Sequence, residues 1–482
     1  MVRETFGHVI NGVEQQSVSG ELFDDVNPWT EEVWAQIALG GKAEADAAVA
    51  AARLAFDEGP WPRMGFIKRG EILHRLADLM ARDREALALA DCRDMGKPVS
   101  QALDDVDRSI LNIRFFADQA RLSQADAYPM DSGHHAYTRY EAAGVVVAIA
   151  PWNFPLMLET WKVAPALAWG NTVVLKPAED TPASATMLAR LAIEAGLPPG
   201  VLNVVHGFGP DSVGQFLTED PRVDRITFTG ESGTGRAISR AAAMNLTPVS
   251  LELGGKGANI VFGDADLDNA VQWAVQAIFR NAGQVCLAGS RLFVHRSVYD
   301  EFLSRFAAAA EGLKIGDPEL HETEFSCLAS REHFEKVTSY LDTVEAHGGT
   351  VVTGGVTDGG LVVKPTIITG VGLDSPHYCE EIFGPVVVVR PFDTEPEAVD
   401  LANDSPYGLN AMVFTENLSR AHRVAARLEA GTVWVNCFFI RDLRAPFGGF
   451  GDSGVGREGG VYSRDFFTEP KAVIVEVSSL TQ

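Results

Sequence analysis

Ile72, Leu73, Leu76, Leu79 and Met80 follow the spacing i, i+1, i+4, i+7, i+8, which predicts an amphipathic helix over 68–90, punctuated by Gly96 and Pro98. An Ala-rich helix is predicted before it, over 42–57, and a third after it, over 102–120. From residue 139 the pattern changes. Val145–Ala150 is an uninterrupted apolar run between Gly144 and Pro151, as in a strand buried on both faces. Thr172–Leu175 repeats the pattern before Lys176-Pro177, and a helix over 182–195 follows, opened by Thr181-Pro182 and closed by Gly196. Val201–Val205, a helix over 210–218 and Arg225–Phe228 complete an alternation of strands and helices that indicates a parallel, doubly wound sheet. The second half has its own alternation. Strands are predicted at 291–295, 349–353, 362–368, 386–391 and 431–436, with helices at 266–282, 297–312, 331–347 and 396–403. Ala472–Val477 alternates as a tail strand, expected to pair outside its own domain, for instance with a partner subunit.

A chain of 482 residues has room for about three domains. Its 46% hydrophobic and 22% charged residues exclude a disordered chain, and no run of about 18 apolar residues is present to span a membrane. The 40 basic and 65 acidic residues leave a net charge of −25, which argues against nucleic acid or anionic lipid as partner. The N-terminal residues Met1–Phe6 hold no apolar core of a secretory signal. The five cysteines (Cys92, Cys286, Cys327, Cys379 and Cys437) are scattered without Cys-x-x-Cys spacing, so the expectation is a reducing, cytoplasmic setting with neither a disulfide framework nor a metal site. The histidines offer no ligand spacing, and His134-His135 reads as a solvated pair in a polar turn.

Chemistry enters at five places. Cys286 follows a Gly-bounded segment, Asn281-Ala282-Gly283-Gln284-Val285; a lone cysteine is usually an inert small hydrophobe, and a nucleophile needs a base or a field that favours thiolate. Glu252, between leucines and next to Gly254-Gly255, supplies a candidate base, because apolar surroundings raise a carboxyl pKa toward neutrality; an exposed strand-end glutamate is the plainer alternative. In Pro151-Trp152-Asn153-Phe154-Pro155 two prolines pin the backbone around Asn153, whose amide N–H would stabilise an oxyanion without adding charge. Phe228–Gly235 follows a strand and opens a helix whose N–H groups would face a pyrophosphate, although it is not a Gly-x-Gly-x-x-Gly motif. Lys176 and Glu179 stand at the carboxyl edge of a parallel strand, where the acid would accept ribose hydroxyls and repel a 2′-phosphate.

These motifs, with Glu252–Lys256, Gly283–Cys286, Glu380–Pro385 and Pro446–Gly449, resemble the aldehyde dehydrogenase superfamily in order and over essentially the whole chain. The resemblance implies an α/β fold: a doubly wound NAD-binding domain (1–122 and 144–252), an α/β catalytic domain (253–465) and a small β oligomerisation element (123–143 and 466–482) of a homodimer or homotetramer. It implies Cys286 as nucleophile, Glu252 as general base and Asn153 as oxyanion donor. The cofactor NAD would be held by Lys176 and Glu179 at the adenosine ribose and by Glu381 and Phe383 at the nicotinamide, with Trp152, Gly230, Ser232 and Leu253 also among its contacts. Three positions depart from the family pattern: Glu231 where Ser is usual beside the diphosphate, so that Ser232 is expected to supply the hydroxyl while Glu231 turns outward; Gly451 where Lys is common; and Ser326-Cys327 in place of Gly-Pro.

Arg441-Asp442-Leu443-Arg444 before Ala445-Pro446-Phe447 is similar to one branch, the hydroxymuconic and aminomuconic semialdehyde dehydrogenases, whose substrates carry a carboxylate remote from the aldehyde. Arg444, with Arg108 as its partner, is the expected carboxylate clamp, against the alternative of surface arginines paired with Asp442, Asp105 or Asp107. The competing functions are oxidation of a neutral aldehyde, a CoA-acylating enzyme (disfavoured by the retained Glu252), a thiol acyl-transferase without nicotinamide, and a non-catalytic protein on the same fold.

Overall fold

The computed structural model describes residues 4–357 and 359–477. The ends of two expected segments, Met1–Arg3 and 478–482, therefore lie outside the described residues. Two large sheets dominate. The first has eight strands in the spatial order Gly454–Val455, Val249–Glu252, Arg225–Thr229, Val145–Ile149, Thr172–Lys176, Leu202–Val204, His8–Ile10 and Val13–Gln15. The middle five are parallel. From Val145–Ile149 the chain winds outward through Thr172–Lys176 and Leu202–Val204, then returns to the other side with Arg225–Thr229 and Val249–Glu252. The winding therefore reverses between Val145–Ile149 and Arg225–Thr229, and such a reversal leaves a crevice outside the carboxyl ends of the strands. The turns at Pro151–Phe154 and Gly230–Glu231 open into it.

The second sheet has seven strands, ordered Thr350–Val356, Val363–Thr369, Val386–Phe392, Arg291–His295, Ala258–Val261, Asn410–Phe414 and Thr432–Val435, all parallel except the first. Its central strands are almost wholly buried and rich in Val and Ile, as strands covered on both faces must be. A third, three-stranded sheet pairs Thr468–Glu476 with His134–Ala142, and that strand with Ala127–Pro129. The tail strand thus finds its partner within its own chain, and His134-His135 opens a strand rather than sitting in a turn.

The helix expected over 68–90 is two: Phe66–Arg82, burying Leu73, Leu76, Ala77 and Met80, and Arg84–Met95, which begins beyond Asp83. Gly96 closes the second at φ +72°, a conformation open to Gly at low cost. Among the described residues no helix is long and apolar enough to cross a membrane.

Candidate active site

Helix Leu267–Phe279 is capped by the Asp266 side chain, which accepts from the N–H groups of Asp268 and Asn269. The expected helix to 282 stops at Phe279 because Asn281, Ala282 and Gly283 adopt left-handed backbone, at φ of 52°, 52° and 72°. That turn carries the chain into Cys286. Strain of this kind persists only where the surroundings over-determine it. Here Asn281 Nδ2 donates to the main-chain carbonyl of Asn153 at 2.9 Å, Gln284 Nε2 donates to the Asn281 carbonyl at 3.1 Å, and Gln284 Oε1 accepts from the Ala329 N–H at 2.9 Å. Asn153 faces the same loop, its Nδ2 donating to the Gln284 carbonyl at 2.9 Å.

Cys286 and Asn153 lie on a cleft of about 700 Å³ at the topological switch point. Its lining extends to Lys176, Glu179, and residues of two helices, Val213–Glu219 and Ser232–Ala243, among them Thr218, Ala237, Ile238 and Ala241. Lys176 Nζ is buried, 3.3 Å from the Glu179 carboxylate and 3.0 Å from the Pro177 carbonyl, while Glu179 remains half-exposed. Trp152, Gly230, Leu253, Glu381 and Phe383 also line the cleft. Glu381 Oε1 accepts from the Gly255 N–H at 2.7 Å, and burial raises this carboxyl to about 7. A cleft lined by a cation and an acid, by two helices and by a thiol fits a dinucleotide.

Two cofactor-side expectations change in the structure. The Ser232 hydroxyl donates to the Asp452 carbonyl at 3.0 Å and Ser232 does not line the cleft; Glu231, the preceding helix cap, does. His333 and Lys336 were not anticipated. They come from helix Arg331–Leu341 to complete the wall, with His333 Nε2 2.7 Å from the Phe383 carbonyl and its ring 4.9 Å from that of Trp152. Helical spacing places both on one face, but no local motif marks them.

Glu252 ends its strand beside Thr229. Its carboxyl is buried and neither oxygen has a hydrogen-bond partner among the described residues. Burial first, and the nearby Glu458 second, hold it well above the usual carboxylate range, while Lys162, Arg441 and Arg457 oppose the shift. Glu458 is itself tied to Trp161 Nε1 at 2.6 Å and Lys162 Nζ at 3.2 Å. Burial pushes the Cys286 thiol up to about 12, Glu381 and Glu252 adding to the effect and Arg441 opposing it.

Arg444, the expected clamp, does not turn toward these groups. Arg444 lies on the surface, its side chain 79% exposed, closing back on Asp442 at 2.6 Å. A short turn allows that local fork, which uses up the guanidinium away from the thiol. Arg441, three residues earlier, packs inward over the rings of Phe447 at 3.7 Å and Trp161 at 4.8 Å. Burial lowers its pKa, with Arg108 adding to the drop and Glu252, Glu458 and Cys286 opposing it. Arg108 is itself half-buried and lowered by burial. Asp107 is engaged by Arg84 and Asp105 by Lys97, so the acids adjoining Arg108 in sequence are committed elsewhere.

A parallel sheet with a cleft at its switch point, lined by a partly buried cysteine and an amide and with a buried carboxyl in the cysteine's field, holds the groups that oxidation of a carbonyl compound by a dinucleotide requires. Residues 13–473 match the aldehyde dehydrogenase family, and the chain belongs to that family. It is similar to the 2-hydroxymuconic semialdehyde dehydrogenase of Pseudomonas sp. strain CF600, 51% identical over 482 residues, covering 98% of this chain and 99% of that protein. It is 45% identical to the 2-aminomuconic 6-semialdehyde dehydrogenase of Pseudomonas sp, over 95% of this chain and 96% of that one. Among solved structures, the NAD+ complex of a Bacillus cereus aldehyde dehydrogenase matches with a TM-score of 0.96 and 43% identity, over 98% of this chain and 97% of that chain.

Proposed function

We propose that this chain oxidises a carboxylate-bearing semialdehyde to the corresponding dicarboxylate with NAD, as a homo-oligomer in the cytoplasm. The observation that supports the substrate class is Arg441, turned inward over the rings of Phe447 and Trp161, with the half-buried Arg108 and the groups Glu252 and Cys286 in its field. A guanidinium held on aromatic rings, with no carboxylate hydrogen-bonded to it among the described residues, has its donors free for an anion. A carboxylate remote from the aldehyde meets that need, and the two Pseudomonas relatives are named for substrates of this kind.

Cys286 adds to the aldehyde carbon, and the Asn153 amide donates to the oxygen as it gains charge. NAD, when bound, supplies the hydride acceptor that turns the thiohemiacetal into a thioester. Glu252 then takes a proton from water as it attacks, releasing acid and thiol. The balance is aldehyde, water and NAD+ giving carboxylate, NADH and two protons. Lys176 and Glu179 hold the adenosine ribose; Glu381, Phe383, Trp152, Gly230 and Leu253 hold the remainder. The strands Ala127–Pro129, His134–Ala142 and Thr468–Glu476 form the oligomerisation element.

The test is Arg441→Met, assayed with a carboxylated semialdehyde and a neutral aldehyde of equal length. Loss of a charge-assisted bond of ~1.5–3 kcal/mol raises KM for the charged substrate about tenfold to a hundredfold. KM for the neutral one should hold, and Arg444→Ala should change neither. Equal rises in KM for both aldehydes would leave the family assignment standing and remove the carboxylate preference.

A further inference from the structure

Beside the Asn153 turn lies a buried ammonium that no step above uses. Lys97 sits between Gly96 and Pro98, where helix Arg84–Met95 hands over to helix Val99–Arg121. Its Nζ is 2.6 Å from Asp105 Oδ2, 2.7 Å from the main-chain carbonyl of Asn153 and 3.9 Å from the centre of the Phe154 ring. The two ion-pair side chains are 0% and 3% exposed. A carboxylate, a carbonyl and a π face occupy the whole hydrogen-bonding surface of the ammonium, so it has no donor left for substrate.

The same Asn153 carbonyl accepts a second bond, from Asn281 Nδ2 in the left-handed turn ahead of Cys286. Main chain and side chain of Asn153 are thereby held separately. Lys97 and Asn281 grip the carbonyl, and the amide is left to point at the cysteine loop, where it now meets the Gln284 carbonyl. Stability is a weak reason for such a pair, since a buried ion pair can often be replaced by well-packed apolar residues without loss. What an apolar pair would not provide is a donor to one particular carbonyl.

We propose that Lys97, with Asp105 as its counter-ion, is a positioning residue that fixes the Asn153 main chain so that its side-chain amide meets the oxygen of the aldehyde under attack. This rests on the reading of Asn153 as oxyanion donor.

Lys97→Met alone strands a buried carboxylate and can fail to fold, so the test uses the charge-neutral pair Lys97→Met with Asp105→Asn, its folding checked by thermal melting. The first-turnover NADH burst and the NAD dissociation constant are measured in that pair, in Asn153→Ala and in all three changes together. The expected result is a burst slowed about tenfold to a hundredfold in the pair, the scale that misplacement of a reacting group brings. NAD affinity should be unchanged, and the pair should cause no further slowing once Asn153 is Ala. Slowing that adds to that of Asn153→Ala, or NAD affinity that weakens in step with the rate, would overturn the positioning role while leaving the oxyanion donor in place. A burst in Asn153→Ala as fast as the parent's would overturn the oxyanion reading, and the proposal with it.

Discussion

At Cys286 the protein does the opposite of what a ready-made nucleophile needs: burial holds the thiol at about 12 in the free enzyme. The reactive form is the thiolate, so with a raised pKa its population grows as pH rises. Alkylation of Cys286 by iodoacetamide in the cofactor-free enzyme should therefore increase about tenfold per pH unit between 7 and 9. A flat labelling rate would mean that the thiolate is already formed. Glu252 shifts in the same direction, its pKa raised by burial and then by Glu458, so steady-state turnover should also climb with pH as this carboxyl ionises to serve as a base. Glu252→Gln separates the two roles open to it. If it acts on water, a burst of NADH precedes near-arrest and the acyl-enzyme is visible by mass spectrometry; loss of the burst itself would assign it to thiol deprotonation. Cys286, Asn153 and Glu252 stand out in the sequence because each sits in a local context that restricts it, and the structure brings Cys286 and Asn153 onto one cleft. Arg444 was misjudged for a related reason. Nearness to the Pro446-Phe447 turn is a one-dimensional fact, and whether an arginine turns in or out there depends on the rings of Phe447 and Trp161, the latter some 280 residues away in sequence.

The strands that carry the cleft were legible as elements because parallel strands buried on both faces read as apolar runs between Gly and Pro, as Val145–Ile149 and Thr172–Lys176 do. Edge and meander strands such as Leu22–Asn27 and Val13–Gln15 mix exposed and polar positions and gave no such signal. Helix Pro155–Ala168 was missed because it is apolar on nearly every face and carries Pro165 inside, so it lacks the polar stripe that marks a helix. Two predictions belong to this scale. Gly283 is left-handed at φ +72°, and a Cβ there would press on the Gly384 carbonyl and the Pro385 nitrogen. Gly283→Ala should cost about 1–3 kcal/mol and remove most activity, read by thermal melting and NADH formation, since the strained turn sets where Cys286 points. A fully active variant would show that the turn tolerates a side chain. The strand Thr172–Lys176 ends where Glu179 pairs with Lys176, so a 2′-phosphate there would face a carboxylate. NAD should be used in preference to NADP, and Glu179→Ser should narrow the ratio of kcat/KM; equal use of both cofactors by the parent enzyme would dissociate Glu179 from the ribose.

A net charge of −25 keeps copies of this chain apart, so a stable oligomer must come from buried apolar surface rather than from charge. The sheet of Ala127–Pro129, His134–Ala142 and Thr468–Glu476 offers such surface: Ile474 and Tyr128, both aligned with Ala136 and so on one face, are 61% and 49% exposed. The strand Thr468–Glu476 stands at the edge of that sheet, and its pairing with His134–Ala142 ties the tail back to its own chain. The tail also anchors the dinucleotide-side sheet, since Arg225 donates to the Phe466 carbonyl and Asn171 to that of Phe467. An exposed apolar patch on an otherwise anionic surface marks an association site. Replacing Ile474 by Asp interrupts that apolar face and adds a negative charge to each facing copy. It touches neither Arg225 nor Asn171, so the sheet that carries Lys176 and Glu252 keeps its support. The expected outcome is a smaller species by light scattering, with unchanged far-ultraviolet circular dichroism and retained NAD binding. An assembly of unaltered mass would move the interface to another face of the molecule, and loss of fold along with loss of mass would mean that the tail strand depends on its partner copy for stability.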